Sequence, residues 1–223
     1  MVAFKNDIQL GNGIYTVPDL SLILQLPQQK IRRWLIDFFD HRLAGDKSNY
    51  SWGEGRERVT DFYTLIEFYV FYMLRENEIG VGKILQTHNH MSKELKTKYP
   101  FASYKLLVNK KQVLYEVDEK TWVHADKTNQ IVIQKIIAEF SKKIDFSDQD
   151  LAKRFWPLGK TRSVVVDPHH QFGQPVINGT NINAATIFSM YQSGEPIAAI
   201  GILYDLTEEQ VNDAIAFCKP KAA

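Results

Sequence analysis

Histidine is the residue type whose spacing in this chain first suggests chemistry, because paired histidines often bind metal ions. His88 and His90 are two residues apart, and His169 and His170 are adjacent. On a helix, two ligands of one ion need a separation of three or four residues, so His88 and His90 would point in different directions. The sequence also contains no HExxH or CxxC pattern. We therefore expect no metal site.

Two further chemistries, nucleophilic catalysis and phosphate binding, find no supporting motif. No GxSxG elbow is present, and the only cysteine is Cys218. Gly173 and Gly179 outwardly resemble a phosphate-binding loop, but the Walker lysine is absent and Pro175 removes a backbone donor. We expect no catalytic residue, no enzymatic activity and no cofactor. A small-molecule hydrolase with dispersed catalytic residues is the enzymatic alternative.

Local charge clusters are more informative than the total charge. With 27 basic and 26 acidic residues the net charge is only +1, so nucleic-acid binding would have to come from clustering. Lys83–Lys111 holds seven lysines and one glutamate, whereas Glu195–Asp213 holds five acids and no base. Such a run can be a solvated helix face, but a basic region can also contact phosphates. The acidic region is not expected to touch DNA.

The N-terminal elements that would position a basic surface are two short helices. Val17–Leu24 is an apolar helix, residues 25–27 form a tight turn, and Gln28–Phe39 is a second, amphipathic helix. Pro27 suits the start of that helix because it lacks the N–H that would be unpaired there. Its apolar face consists of Ile31, Trp34, Leu35 and Phe38. We therefore expect Trp34 to be a core residue.

The middle of the chain alternates between helical and strand-like patterns. Ala44–Arg58, rich in glycine and aromatic residues, predicts a β-wing or hairpin. The remaining predictions are helices over Phe62–Leu74 and Ile79–Tyr99, a hairpin within Tyr104–His124, a helix over Ile131–Phe140 and a polar connection over Lys142–Gly159.

The C-terminal segment predicts a short strand followed by three short helices. The strand is Val164–Val166, and the helices begin near Asn183, Pro196 and Thr207. Thr207 and Gln210 have the spacing of a capping box, with two glutamates in the first turn, where the helix dipole favours negative charge.

These elements predict a mainly α fold with a small β element and three regions. Residues 1–102 would form a winged helix-turn-helix domain, and residues 103–159 a connecting region with a β-hairpin and a helix. Residues 160–223 would form a three-helix, helix-turn-helix-like domain. No secretory signal and no apolar run of membrane-spanning length is visible, so we expect a cytoplasmic protein that does not contact a membrane.

Two parts of the sequence resemble known families. The segment IYTVPDLSLILQLPQQKIRRWL, the aromatic wing and the YPFA at Tyr99–Ala102 resemble the helix-turn-helix domain of VapB-type antitoxins, which is MerR-like in layout. The run from VVVDPHHQFGQPVINGT to LTEEQVNDAIAF is similar to a small helical, antitoxin-associated family long labelled a domain of unknown function. Where that family usually has arginine after Gly-Thr, this chain has Asn181.

The resemblance implies an antitoxin of a type II toxin–antitoxin system. Such a protein neutralises a PIN-like ribonuclease toxin and represses its own operon by binding double-stranded operator DNA. The alternative is a stand-alone DNA-binding transcriptional regulator without a toxin partner. The acidic C-terminal module could face a basic rim on the ribonuclease.

On this hypothesis the helix from Gln28 enters the major groove, and the wing approaches the adjoining backbone or minor groove. We expect a homodimer, because two modules on a two-fold axis read a palindromic operator. The helix from Phe62 could contribute a dimer surface, but we expect most of it to lie in the core. The predicted DNA-binding residues are Gln28, Gln29, Lys30, Arg32 and Arg33 on the helix and Tyr50, Trp52, Arg56 and Arg58 on the wing. For Tyr50 and Trp52, packing within the protein is the alternative.

Overall fold

The computed structural model describes residues 11–44, 49–103, 140, 142–147 and 151–219. It is mainly helical with small antiparallel sheets, as the sequence predicts. Within these residues, no helix is both long and apolar enough to cross a bilayer. The α-helices are α1 (Val17–Leu24), α2 (Gln28–Trp34), α3 (Phe62–Glu76), α4 (Val81–Leu95), α5 (Ala184–Gln192), α6 (Ile197–Tyr204) and α7 (Glu208–Cys218).

The strands are short and pair antiparallel. The first sheet has the order β1-β3-β2, and β4 pairs with β5 and β6 with β7. They are β1 (Tyr15–Thr16), β2 (Ser51–Trp52), β3 (Val59–Thr60), β4 (Ile144–Phe146), β5 (Ala152–Phe155), β6 (Val164–Val165) and β7 (Val176–Ile177).

Several predicted elements are confirmed and one is wrong. The hairpin predicted over Ala44–Arg58 is present as β2 and β3, although β3 begins one residue beyond the predicted range. The three C-terminal helices begin at the predicted positions. The polar connection predicted over Lys142–Gly159 is wrong, because β4 and β5 lie there and Phe155 is buried in the core. The hairpin predicted within residues 104–124 and the helix predicted over 131–139 lie outside the described residues.

The second helix is longer than predicted and changes its geometry. Beyond α2 it continues as a π-helix, Leu35–Leu43, instead of ending at Phe39. Phe39 stacks on Phe68 of α3 at a ring-centroid distance of 5.5 Å, and Phe38 stacks on Phe71 at 5.3 Å. Two consecutive rings of the π-helix therefore pack on the same neighbouring helix. The π-helix thus occurs where aromatic residues pack on α3, and the local sequence pattern does not predict it.

The core is continuous between the two ends of the chain. A single cluster of buried residues includes Tyr15 in the first strand and Phe217 in the last helix. Helix α3 runs through this cluster, and its residues Phe62 and Thr64–Phe71 are buried. This helix is thus part of the protein's own core, and its buried face is not free to act as a dimer surface.

A buried contact with a carboxylate gives His88 a structural role. His88 of α4 places Nε2 2.9 Å from Oε2 of Glu67 on α3, and both side chains are almost fully buried. The other carboxylate oxygen of Glu67 accepts the backbone N–H groups of Phe101 at 2.7 Å and Ala102 at 3.1 Å. This carboxylate therefore joins α3, α4 and the segment that follows α4.

Candidate nucleic-acid interface

Helix α1, the first of the two N-terminal helices, begins with a capping box. Thr16 accepts the backbone N–H of Asp19 through Oγ1 at 3.3 Å, and the Asp19 carboxylate accepts the backbone N–H of Thr16 at 2.8 Å. Pro18, near the start of α1, costs no internal hydrogen bond there. The start of α1, and with it the position of the following turn, is fixed by local interactions.

The turn between α1 and α2 is closed by its own backbone. Gln25 adopts a left-handed conformation with φ of 55°, which ends α1. Leu26 then donates its N–H to the Ser21 carbonyl at 3.2 Å, and the Ser21 hydroxyl donates to the Leu26 carbonyl at 2.6 Å. Pro27 precedes the first residue of α2. The turn directs α2 away from α1 within three residues.

The inner face of α2 is held by aromatic packing. Trp34 is 6% exposed, which confirms it as a core residue. Its ring lies 5.7 Å from that of Phe68 and 5.3 Å from that of Phe71 on α3. Such packing sets the rotation of α2 about its axis, and therefore which residues face outward.

The outer face of α2 presents three of the five predicted helix residues to solvent. Gln28, Gln29 and Arg33 are exposed, and Arg32 is half-buried. Lys30 is also half-buried, and its Nζ lies 5.2 Å from the Trp34 ring centroid. The same Nζ is 5.0 Å from the Tyr72 ring centroid and 3.9 Å from the Glu76 carboxylate. The accessible polar surface at the start of α2 is therefore dominated by two amides and one guanidinium.

Two aromatic residues predicted for the wing pack within the protein. Tyr50 is 1% exposed, and its hydroxyl donates to the Lys98 carbonyl at 2.7 Å. Burial raises the pKa of Tyr50 above its usual value. Trp52 is half-buried, with the Lys98 Nζ 5.7 Å from its ring centroid. In this arrangement Tyr50 belongs to the core and not to the outer surface of the hairpin.

The two arginines predicted for the wing occupy different environments. Arg58 is largely buried and places Nη1 2.6 Å from Oδ2 of Asp40 on the π-helix. Asp40 also accepts the backbone N–H groups of Tyr50 and Ser51, each at 3.0 Å. Arg56, by contrast, is exposed in the single helical turn between β2 and β3. Arg58 therefore attaches the hairpin to the π-helix, and Arg56 is the exposed cation at the hairpin tip.

One basic residue near the interface escapes prediction from the sequence. Arg42 is exposed on the π-helix that continues α2, with its guanidinium carbon 5.6 Å from the Phe38 ring centroid. The predicted helix ends at Phe39, so Arg42 lies outside it. The signal that would have found it is the basic pair His41-Arg42 directly after the helix.

Within the basic region that follows, Lys98 is engaged by aromatic rings. Its Nζ lies 4.6 Å from the Tyr50 ring centroid and 5.0 Å from that of Tyr99. Burial lowers the pKa of Lys98, and the nearby Asp61 carboxylate opposes this shift. Lys93 and Lys96 of the same region are exposed. The number of lysines in this region therefore overstates the positive charge that a phosphate could contact.

A separate open cleft of about 300 Å³ is lined by residues of β5, β6 and β7 and of the segment that follows β7. Asn181 lines it, at the position where the similar family usually has arginine. The cleft nevertheless contains a guanidinium, because Arg154 of β5 lines it and places Nε 2.9 Å from the Asp167 carboxylate. The guanidinium of Arg154, on β5, therefore lines the same cleft as Asn181.

Comparison with solved structures places this architecture among known folds. The crystal structure of Rv2018 from Mycobacterium tuberculosis matches 90% of this chain and 96% of its own, with a TM-score of 0.71 and 21% sequence identity. The two proteins share a fold. At this level of identity the likeness extends to the architecture alone.

Sequence comparisons match both the whole chain and its C-terminal part. A curated protein of Mycobacterium tuberculosis named "Putative antitoxin VapB45" is 23% identical, and the alignment covers 94% of this chain and 95% of that protein. The family model described as a protein of unknown function (DUF433) matches residues 164–218. That segment runs from β6 through α7, and it includes the cleft residue Asn181.

Proposed function

We propose that this chain is a cytoplasmic, non-enzymatic antitoxin of a type II toxin–antitoxin system. The support is the similarity to a named antitoxin over 94% of this chain, together with the helix-turn-helix at its N-terminus. A similarity of that extent spans both the N-terminal and the C-terminal module. The proposed partners are double-stranded operator DNA and a PIN-like ribonuclease toxin.

The observation that carries the DNA-binding half of this proposal is the exposed start of α2. Gln28 and Gln29 are exposed there, while Trp34 locks the opposite face of the helix against α3. Glutamine amides can pair with adenine edges in the major groove, and residues at the start of a recognition helix do most of the reading. Arg33, one turn later, is exposed, and we assign it to a phosphate or a guanine.

We assign fewer residues of the hairpin to DNA contact than the four that the sequence predicts. Arg56, at its exposed tip, is the residue we assign to the DNA backbone, and Arg42 on the π-helix is a further candidate for a phosphate contact. The protein binds as a homodimer in this proposal, because a single module of this size makes too few contacts for tight operator binding. Two copies related by a two-fold axis would read the two halves of a palindromic operator.

Gel shifts on the DNA upstream of the coding sequence test this half of the proposal. The wild-type protein should shift that fragment, and replacing Gln28 and Gln29 together by alanine should weaken specific binding by about 10-fold or more. Arg33→Ala should weaken binding and reduce the slope of log K against log salt by about one. Asn212→Ala, an exposed polar change on α7, is the control. If the α2 variants keep both the affinity and the salt slope of the wild type, the assignment is contradicted.

A stand-alone transcriptional regulator is the second candidate, and one contact favours it. Gln25 of the turn donates through Nε2 to the Phe217 carbonyl of α7 at 3.0 Å. The C-terminal module thereby supports the DNA-binding turn, a role that requires no toxin. Co-expression with the product of the adjacent reading frame distinguishes the two, because only an antitoxin forms a stable complex with it.

A further inference from the structure

Helix α6 differs from its neighbours in having no polar face. Its inner side faces the protein and is buried or half-buried. The residues of this side are Ile197, Ile200, Gly201 and Tyr204. Its outer side consists of four exposed residues at positions that share one helical face. These residues, which we call the α6 ridge, are Ala198, Ala199, Ile202 and Leu203.

The exposure of the ridge is unusual for large apolar side chains. Ile202 is 86% exposed and Leu203 is 65% exposed. The adjacent helices follow the ordinary rule, because their exposed positions are mainly polar, such as Ser189 and Gln192 on α5 and Asn212 on α7. An apolar outer face that the described residues do not cover indicates a protein-binding surface.

The ridge is surrounded by negative charge. Glu195 precedes α6, Asp205 ends it, and Glu208 and Glu209 occupy the first turn of α7, all of them exposed. Within the described part of the chain, none of these four carboxylates forms an ion pair. The nearby Asp213 is different, because it is buried and lies 3.1 Å from Arg162. The free acids define a rim around the ridge.

This rim disfavours a second copy of the chain as the partner. A two-fold contact centred on α6 would place Glu195 beside Asp205 of the other copy if the helices ran antiparallel. If they ran parallel, each of these acids would face its own equivalent. Either arrangement brings unpaired carboxylates together at the edge of an apolar contact, where like charges are costly. The charge pattern instead fits a partner whose apolar site has a basic rim.

We propose that the α6 ridge and its acidic rim dock into the RNA-binding cleft of the ribonuclease toxin. This inference rests on the proposed function, which supplies a ribonuclease as partner. A cleft that binds single-stranded RNA combines cations for the phosphates with apolar or aromatic surfaces for the bases. The ridge would cover the base-binding surface, and the rim carboxylates would pair with the phosphate-binding cations. RNA is then excluded because its own contacts are occupied.

The test is co-purification and affinity measurement with the product of the adjacent reading frame. The ridge variant is Ile202→Gln with Leu203→Gln, which keeps size and helix propensity but removes the apolar surface. It should bind at least about 10-fold more weakly, as the loss of a buried apolar anchor predicts. The rim variant, Glu195→Gln with Asp205→Asn, should bind about 3-fold to 10-fold more weakly at low salt and show a flatter salt dependence.

Phe172→Gln is the matched control, because Phe172 is 86% exposed but lies in the turn before β7. It should leave affinity unchanged, and all variants should keep the wild-type Tm and operator binding. A complex that the ridge variant forms with wild-type affinity overturns the docking inference alone. If the ridge substitutions convert a homodimer of this chain into monomers, the ridge is a contact between two copies, and the docking inference is also overturned. Failure of the wild type to form any complex overturns the proposed antitoxin function as well.

Discussion

Gln25 and Phe217 are 192 positions apart in the sequence, and the side-chain amide of Gln25 donates to the Phe217 backbone carbonyl at 3.0 Å. The same amide nitrogen lies 2.7 Å from the Leu22 carbonyl at the end of α1. The left-handed residue that ends α1 therefore also connects the turn between α1 and α2 to the last helix, α7. The position of the turn between α1 and α2, which we propose contacts DNA, therefore depends on a contact from the far end of the protein.

Replacing Gln25 by asparagine tests this connection. Asparagine tolerates the left-handed conformation but is one methylene shorter, so it should lose the bond to Phe217 while preserving the turn. We expect the free energy of unfolding to fall by about 1 kcal/mol, measured by urea denaturation. Amide exchange should also quicken in the last turn of α7. The exposed change Gln28→Asn serves as the control, and an equal effect from both variants would contradict the role of the contact.

The two arginines of the hairpin should respond differently to substitution. Arg58→Ala leaves Asp40 without its cation, and we expect it to lower the free energy of unfolding by about 1–3 kcal/mol. Arg56→Ala removes an exposed side chain and should change stability by less than about 0.5 kcal/mol. Its effect should appear instead as weaker, less salt-dependent DNA binding. Thermal denaturation and gel shifts of both variants measure this difference, and equal stability would exclude a structural role for Arg58.

Trp34 and Arg33 are adjacent in sequence, yet their substitutions should separate stability from binding. Trp34→Ala removes a large buried ring and should cost roughly 3–5 kcal/mol. Arg33→Ala should leave stability within about 0.5 kcal/mol of the wild type. Chemical denaturation of the two variants provides the measurement. A stable Trp34→Ala protein would contradict the packing of α2 on α3.

These residue pairs also show what the sequence can predict. The capping box at Thr207 and the turn before Pro27 depend on residues a few positions apart, so local patterns locate the helices correctly. The partnership of Arg58 with Asp40 spans 18 positions and depends on the π-helix. A hydrophobic pattern with a period of 3.6 residues contains no information about that geometry. Arg58 consequently resembles a free basic residue until the fold is known.

The burial of Tyr50 is a similar case. An aromatic residue in a glycine-rich hairpin fits either a DNA-contacting tip or a core position, and its period does not distinguish them. The distinction comes from Lys98, whose carbonyl accepts the tyrosine hydroxyl across 48 positions. The outward face of α6, by contrast, could have been recognised from the sequence, because four apolar residues at that spacing follow an acidic turn.

Stability should decline at alkaline pH because buried acidic groups are held in their neutral forms. Burial raises the pKa of the Cys218 thiol to about 11 and raises the pKa values of Tyr15, Tyr50 and Tyr99 above their usual range. At neutral pH these groups are protonated in both the folded and the unfolded chain. Their full contribution to the free energy of unfolding is therefore present at neutral pH. Above about pH 9 the unfolded chain ionises first, and stability falls as pH rises.

Urea denaturation at about pH 7.5 and pH 10.5 measures this effect, and the midpoint should be lower at the higher pH. The absorbance of ionised tyrosine should show at least three side chains that titrate only when the protein unfolds. A midpoint that does not change, or ordinary titration of every tyrosine in the folded protein, would contradict the buried environments described here.

Growth rescue is the measurement that tests the antitoxin function most directly. The product of the adjacent reading frame is induced alone, and then together with this chain, in the same host. The proposed function predicts that the product alone arrests growth and degrades RNA, and that co-expression of the wild-type chain restores both growth and intact RNA. Arrest that persists despite a well-expressed, folded chain, or a product that is harmless by itself, would contradict the proposed function.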